Sequence, residues 1–438
     1  MELKKLMQDA GIVGAGGAGF PSYAKISGGA DTLLINGSEC EPLIYTDYVI
    51  LKKELSTVLY GAALIMEKAS IKRAVLAIKA HTAKRLSFSD GDTLEGKITV
   101  KVLPDVYPIG DEISLIYEAL GKVVRPGNLP ITKGIIVYNV ETLYNLGRTE
   151  KYGDPVTKKW LTVGGDVDNA SVVRAPIGTR VSDLFKKLNI NIPEECAVID
   201  GGPSMGKVID PDTATVTKTT NALLILPKSS QAVTSKTVNE KMATARAETA
   251  CCQCTRCTDM CPRALLGYPL EPHKMVRTAM GAVVTLPEMV ISATLCCGCG
   301  ICESIACSQG ISPRAVISNY KALLSKNKMR YTSDGDVTPD AQRNYRMVPS
   351  DRWASTLGIK KFDKPVNDFF EIVGIKRVEI PLAGHIGAPS IPTVKDGDTV
   401  EAGELIARAA DGLSVPQHAS VFGKVRVMSD RIIIESEY

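Results

Sequence analysis

Eight of the twelve cysteines fall into two groups of four within one short stretch of the chain. The first group reads C-x2-C-x2-C-x3-C-P, and the second differs only in a four-residue last gap followed by Ser308 instead of proline. Three thiolates at x2 spacing can wrap one face of a 4Fe-4S cubane from a short loop. We therefore predict two such clusters, and their expected ligands are Cys251, Cys254, Cys257, Cys261, Cys296, Cys299, Cys302 and Cys307.

The fourth cysteine of each group is expected to serve the other cluster, as it does in two-cluster ferredoxins. This rule pairs Cys307 with the first three cysteines and Cys261 with the three that begin at Cys296. Zinc sites and disulfides are the alternatives. Zinc sites usually show two separated C-x2-C pairs, and disulfides do not require this regular spacing, so the pattern favours iron–sulfur clusters.

The remaining cysteines have simpler interpretations. Cys252 and Cys297 each adjoin a predicted ligand, but a shift of register onto either would break the x2 spacing of the next gap. Cys40 and Cys196 stand alone and are expected to be small apolar core residues.

The second chemical feature is a glycine-dense loop near the start of the chain, residues 14–21. Glycines let backbone amides approach an anion closely, and converging amides bind phosphate; a plain tight turn is the alternative. Three polar motifs, at residues 36–42, 107–112 and 139–142, follow predicted strands or precede a helix. Because an α/β sheet binds ligands at its strand ends, we expect these motifs to share one site with the loop.

In this order, the glycine loop and the three motifs resemble the FMN- and NADH-binding subunit of respiratory complex I. The resemblance implies that the loop holds the flavin phosphate and that polar side chains contact the rest of the flavin. The cofactor-binding residues implied in this way are Gly14, Gly16, Gly17, Gly19, Lys25, Asn36, Glu39, Gly110, Asn139 and Thr142. The resemblance also implies that Asp111 and Glu112 are catalytic, because they would lie where flavin and NADH meet.

The chain departs from that family at several positions. Ser38, Cys40, Asp111 and Tyr138 stand where the family has aspartate, serine, glutamate and asparagine. Residues 125–130 replace the family's segment with a stacking phenylalanine, so the dinucleotide pocket matches less fully than the flavin pocket.

The overall composition narrows the class of protein. The 438 residues include 52 basic and 48 acidic side chains mixed along the chain, with a net charge of +4, so we expect no nucleic-acid partner. No stretch reaches the ~18 uncharged apolar residues that a membrane span needs. Twelve cysteines in a chain expected to be cytoplasmic indicate metal binding rather than disulfides.

The rhythm of the sequence predicts a multidomain α/β and α+β protein. Residues 1–152 alternate strands, at 32–36, 73–78 and 134–140, with helices at 57–68 and 112–120, as in an α/β sandwich. Residues 153–228 are turn-rich, with a helix at 181–188, and fit a small β-grasp module. Residues 229–330 form the helical two-cluster domain, entered through a polar linker at 228–250 and followed by a helix at 312–324.

The last part, residues 331–438, contains a second polar linker at 330–350 and a different motif after it. Residues 394–405 are typical of a lipoyl or biotinyl barrel-sandwich domain, but residues 410–420 contain no lysine that could be modified. We therefore predict a structural barrel-sandwich hybrid rather than a swinging arm. His385 and His418, which lie in this part, are expected to be structural rather than ligands.

Domain order sharpens the resemblance. A complex-I-like flavin domain, a soluble-ligand-binding β-grasp (SLBB) module and a two-cluster ferredoxin domain resemble the C subunit of the Rnf complex. With the barrel-sandwich domain at the carboxyl end, the whole chain resembles the PduS-type cobalamin reductases of propanediol-utilising bacterial microcompartments. That family implies electron flow from NADH through FMN and two 4Fe-4S clusters to cob(III)alamin or cob(II)alamin.

The same resemblance implies partners and a location. The partners would be a cobalamin adenosyltransferase and microcompartment shell proteins, with a homo-oligomer possible, and the location the cytoplasm within a microcompartment. Two alternatives stay open at this stage: an Rnf-type subunit through which electrons enter a membrane ferredoxin:NAD oxidoreductase, and an electron carrier that does not itself oxidise NADH.

Overall fold

The computed structural model describes residues 2–26, 28–281 and 287–436. Part of the predicted spacer between the two cysteine groups therefore lies outside the described residues. The α-helices, in chain order, are α1 Leu3–Asp9, α2 Thr46–Lys68, α3 Ala80–Leu86, α4 Glu112–Leu120, α5 Val140–Tyr152, α6 Val181–Lys187, α7 Gln231–Thr234, α8 Glu240–Ala250, α9 Arg256–Asp259, α10 Pro272–Ala279, α11 Pro287–Ile291, α12 Pro313–Lys326, α13 Arg343–Arg346 and α14 Ser350–Thr356.

Short strands make up most of the remaining regular structure. In chain order they are β1 Thr32–Gly37, β2 Arg73–Lys79, β3 Thr93–Leu94, β4 Ile98–Leu103, β5 Val106–Tyr107, β6 Ile135–Asn139, β7 Lys158–Gly165, β8 Ser171–Pro176, β9 Cys196–Asp200, β10 Lys207–Ile209, β11 Ala222–Pro227, β12 Val348–Pro349, β13 Phe369–Glu371, β14 Arg377–Pro381, β15 Ile391–Pro392, β16 Thr399–Val400, β17 Leu405–Arg408, β18 Gln417–His418, β19 Gly423–Val427 and β20 Arg431–Glu435. Single 3-10 turns occur at Ser22–Lys25, Pro130–Lys133, Ala264–Leu266, Ser292–Leu295 and Lys360–Phe362, and a π-helical turn at Cys302–Ala306.

The first layer is a sheet in the order β3-β4-β2-β1-β6, in which β4, β2, β1 and β6 run parallel. Successive side chains of a strand point to opposite faces, so both faces of this sheet must be covered. Leu33 and Ile35 of β1 belong to the core beneath α2 and α5, whereas Leu34 belongs to the core beneath α4. The carboxyl ends of β1 and β6 consequently meet at one edge, where the polar motifs follow them.

Helix α2 begins at Thr46 rather than at residue 57. Its first half is continuous with the core, but Glu54 takes non-helical backbone angles (φ −127°, ψ 23°) and kinks the helix. The charged residues just before this kink interrupt the apolar periodicity, so sequence periodicity detected only the second half. Helix α4, in contrast, has the predicted bounds 112–120 because Asp111 caps it and Gly121 ends it in a left-handed conformation.

The middle sheet has the order β10-β9-β11-β7-β8-β13. Strands β7 and β8 form an antiparallel hairpin, β11 runs parallel to β7, and α6 lies between β8 and β9 in the chain. Strand β13, from the last part of the chain, adds parallel to β8. The predicted boundary at residue 228 therefore does not close this sheet, because a strand from beyond the cysteine region completes its edge.

Both segments predicted as linkers contain regular structure. Residues Glu240–Ala250 form α8, whose buried residues include only Ala243 and Ala247, so its polar sequence resembled a linker. In the second segment, β12 pairs with β5 of the first module. Farther along, the two sheets β14-β20-β19-β16 and β15-β17-β18 form the carboxyl-terminal module. Among the described residues, no helix is long and apolar enough to cross a lipid bilayer.

Candidate functional site

The glycine loop is fixed at its base and open at its tip. The backbone nitrogen of Ala15 donates to Oγ1 of Thr142 at 3.2 Å, which ties the loop to α5. Gly16 lies against Asn139, because a Cβ there would stand 2.8 Å from the Asn139 side-chain nitrogen. Gly17 is exposed, and a Cβ there would meet no protein atom within 4 Å. Exposed backbone at the tip, with a clear approach from solvent, fits a phosphate-binding loop.

The polar motifs meet at the sheet edge beside this loop. Asn36 Nδ2 donates to the carbonyl of Gly110 at 3.1 Å, which joins the ends of two predicted motifs. Asn139 Nδ2 donates to Asp47 Oδ2 at 2.9 Å and is 3.5 Å from the Asn36 carbonyl. The structure therefore brings Asn36, Gly110 and Asn139 together, as predicted.

Two buried acids lie behind this edge. Glu39 Oε1 accepts a hydrogen bond from the Asp47 backbone nitrogen at 3.2 Å. Burial, reinforced by the neighbouring carboxylate of Asp47, raises the pKa of Glu39 well above its ordinary value. Burial, and then Glu141, raises the pKa of Asp47 to about 7. Asp47 was not predicted, and its only sequence signal is a position in the first turn of α2 directly after a candidate motif.

The two predicted catalytic acids have different environments. Glu112 is paired with Lys25, whose Nζ lies 3.3 Å from Glu112 Oε1 and also donates to the Val137 carbonyl at 2.9 Å. Asp111 Oδ2 accepts hydrogen bonds from the backbone nitrogen and hydroxyl of Ser114 at 3.2 and 3.1 Å, and so caps α4. Its Oδ1 accepts a hydrogen bond from Arg263 at 2.7 Å. Arg263 was not predicted, and it connects this motif to the cysteine region.

The eight predicted cysteine ligands line two separate cavities. Cys251, Cys254, Cys257 and Cys307 line the first, together with Cys252, His273 and Val276. The second is lined by the other predicted set, Cys261, Cys296, Cys299 and Cys302, together with Cys297, Arg263 and Arg314. The structure thus groups the cysteines in the crossed arrangement expected from two-cluster ferredoxins. Cys307 belongs to the first cavity despite its longer gap.

The two cysteine sets differ in depth. Cys252 and Cys254 of the first set are exposed, whereas Cys261, Cys299 and Cys302 of the second are buried. All twelve cysteines of the chain are free thiols.

The donor sets fit iron–sulfur clusters. Burial raises the pKa of both Cys257 and Cys261 to about 12, so these thiols need a bound cation to become thiolates. Within the three described ranges of the chain, no three His, Cys, Asp or Glu side chains converge closely enough to hold a single metal ion; the cysteines surround cavities instead. The Gly298 backbone nitrogen also donates to Cys296 Sγ at 3.3 Å, as amides do around cluster sulfurs.

Comparison with known proteins assigns each of these regions. Residues 7–148 match the Nuo51 FMN-binding domain, residues 250–312 a 4Fe-4S dicluster domain, and residues 366–437 the RnfC barrel sandwich hybrid domain. The cobalamin reductase PduS of Salmonella typhimurium is 34% identical over 99% of this chain and 96% of its own length. This chain belongs to the PduS cobalamin reductase family. PduS of Citrobacter freundii is likewise 34% identical, over 98% of this chain and 95% of that protein.

Membership in the PduS family confirms the predicted family, the mixed α/β multidomain class and a flavin and iron–sulfur oxidoreductase. The barrel-sandwich domain is carboxy-terminal, as predicted. The RnfC-type component of the ion-translocating oxidoreductase complex of Vibrio cholerae is 29% identical over 62% of this chain, and the match covers 34% of that relative.

Proposed function

We propose that this protein transfers electrons from NADH, through FMN and two 4Fe-4S clusters, to cobalamin, reducing cob(III)alamin or cob(II)alamin. The observation that carries the proposal is the contact between Asp111, in the complex-I-like motif, and Arg263, which lines the second cysteine cavity. It makes the expected flavin side and one cysteine set direct neighbours. The full-length match to two cobalamin reductases supports cobalamin as the acceptor.

In this proposal the sheet edge of the first module holds the flavin. The exposed backbone at Gly16 and Gly17 would bind its phosphate, and Asn36, Glu39 and Asn139 would position the rest. Bound FMN would supply the conversion of a two-electron hydride into single electrons, and bound clusters would carry single electrons. Lys25 holds Glu112 in place beside this edge through their 3.3 Å ion pair. Gly14, Gly19, Gly110 and Thr142 shape the loop and the turn.

The two cysteine sets would act in a fixed order. The second set is buried and contacts the flavin-binding module through Arg263, so we assign it the nearer cluster. The first set carries the exposed residues Cys252 and Cys254, so we assign it the cluster that faces the acceptor. The first set would therefore be the point at which electrons leave the chain.

The finer parts of the proposal concern the middle module and the partners. The topology of β7, β8, α6, β9 and β11 supports a β-grasp module of the soluble-ligand-binding type. We also propose that a cobalamin adenosyltransferase presents the corrinoid and that the protein works in the cytoplasm inside a microcompartment, against its shell proteins. Self-association into a homo-oligomer is part of the same proposal.

An anaerobic assay with the full chain tests the proposed reaction. Iron–sulfur-reconstituted protein with FMN should oxidise NADH only when aquacobalamin is added, with one NADH consumed for each pair of cob(II)alamin molecules formed. Oxidation of NADH with transfer to a ferredoxin, but not to cobalamin, would favour the Rnf-type function suggested by the Vibrio cholerae relative. Protein that carries both cofactors but never reacts with NADH would be an electron carrier supplied by another donor.

A further inference from the structure

The two cysteine cavities have different electrostatic surroundings. Arg263 and Arg314 line the second cavity. In the part of the chain that the structure describes, no arginine, lysine, aspartate or glutamate lines the first, where His273 is the titratable neighbour of the cysteines. A positive charge close to a cluster stabilises its reduced, more negative form and so raises its reduction potential. The two sets should therefore impose different potentials.

The two arginines have different partners. Arg314 Nη2 lies 2.5 Å from Glu303 Oε1, within the cysteine region itself. Arg263 Nη2 lies 2.7 Å from Asp111 Oδ1, 152 residues away in the complex-I-like motif. Both side chains of the Arg263–Asp111 pair are largely buried, with 11% and 13% of their surface exposed, so solvent screens the pair weakly.

The guanidinium of Arg263 is held in one place. Tyr268 presents its ring 5.5 Å from the guanidinium carbon, and the Arg263 charge also reaches the Cys297 side chain. Pro262 separates Arg263 from Cys261, and the same short segment thus supplies a predicted ligand and the neighbouring charge. The Arg263 Nε is buried without a partner, so the Asp111 contact is not simply one of many that satisfy this side chain.

We propose that Arg263 is a positioning residue that sets the reduction potential of the cluster held by Cys261, Cys296, Cys299 and Cys302, and that Asp111 moderates its charge. This rests on the proposed function, because it requires the two clusters. The arrangement makes the nearer cluster the easier one to reduce. It also couples that potential to a residue of the expected flavin and NADH site, since any change in the Asp111 carboxylate alters the net charge beside the cluster.

The test is a redox titration of the full-length protein, poised with dithionite and mediators and followed by electron paramagnetic resonance. In Arg263→Gln, the ratio of reduced to oxidised nearer cluster at the wild-type midpoint should fall about tenfold, which corresponds to about 59 mV for a one-electron couple. Asp111→Asn should move the same midpoint in the opposite direction, because it leaves the Arg263 charge uncompensated. Arg263→Lys should stay close to wild type.

Opposite shifts separate an electrostatic role from a structural one, because a loosened interface would move the midpoint the same way in both variants. Arg180→Gln is the matched control: Arg180 forms a 2.7 Å ion pair with Glu379 and lines neither cavity, so neither midpoint should change. An unchanged nearer-cluster midpoint in Arg263→Gln with full iron content, or a shift confined to the other cluster, would overturn the inference. A wild-type protein that binds fewer than two clusters would instead contradict the proposed function.

Discussion

The carboxylate of Glu41 accepts hydrogen bonds from the backbone nitrogens of Ser204 at 3.0 Å and Met205 at 2.9 Å. Glu41 follows the first strand of the flavin-binding module, and Ser204 lies in the Gly-Gly-Pro-Ser-Met-Gly turn of the middle module. The contact is buried, and burial raises the pKa of Glu41. Glu41 therefore joins two modules, although its place in a complex-I-like motif had also suggested cofactor binding.

The same turn also contacts the later parts of the chain. Arg314 and Lys236, from the cysteine region, donate to the Ser204 carbonyl at 2.7 and 3.0 Å. The indole nitrogen of Trp353 donates to the Ser204 hydroxyl at 2.9 Å, and its ring stacks on Tyr107 at 4.6 Å. The turn thus fixes the second cysteine set relative to the flavin-binding module.

Gly202→Ala should destabilise the protein by about 1–3 kcal/mol, because overpacking a closed contact costs that much. A Cβ at Gly202 would lie 2.4 Å from Glu41 Cδ, so the turn and Glu41 would have to separate. Urea unfolding of the full chain measures the loss. Gly28→Ala, where a Cβ meets no atom within 4 Å, is the control and should unfold like the wild type. Equal stability of the two variants would show that the Glu41 contact is dispensable.

Cys254→Ala should remove one cluster and leave the other. Cys254 lines the first cavity alone, so iron in reconstituted protein should fall from about eight to about four per chain, as expected for one of two cubanes. Cys252→Ala is a close control, because Cys252 lines the same cavity and is also exposed but lies outside the x2 spacing. Iron and sulfide analysis gives the result. Loss of a cluster in Cys252→Ala but not in Cys254→Ala would reverse the ligand assignment.

The stability of the fold should depend on His418 as the pH falls. Burial, and then the charge of Lys218, lowers the pKa of His418 to about 3. The unfolded chain then binds a proton near pH 6.5 while the folded chain does not, so this stability is present above pH 6.5 and is lost as the pH falls towards 3. By pH 5 the loss should be about 2 kcal/mol. His418→Gln should lack this component in urea titrations between pH 7 and pH 5, and identical slopes for both proteins would refute it.

Local spacing predicted the parts of the site that local chemistry determines. The crossed grouping of the cysteines followed from their x2 gaps, and α4 from its apolar periodicity between Asp111 and Gly121. The polar motifs met at one edge because parallel strands end there. These features depend on residues close together in the chain or on a general property of the sheet.

Features that depend on distant residues were missed. No spacing rule links Arg263 to Asp111, because their contact exists only after the cysteine region packs against the first module. The first half of α2 was missed because the kink at Glu54 breaks the helical period. Helix α8 was missed because its few buried residues give it almost no amphipathic pattern.

The most direct test of the relay is rapid mixing of NADH with Gly17→Val protein. A side chain at Gly17 meets no protein atom, so the variant should fold and keep its clusters but lose FMN, since valine would block the approach of a phosphate. Gly335→Val is the control, because its nearest neighbour would be Ser333 Oγ at 3.5 Å. In the wild type and the control, the flavin absorbance should bleach before or together with the cluster absorbance. In Gly17→Val, NADH should leave the clusters oxidised although dithionite still reduces them; cluster reduction by NADH at the wild-type rate would contradict the account.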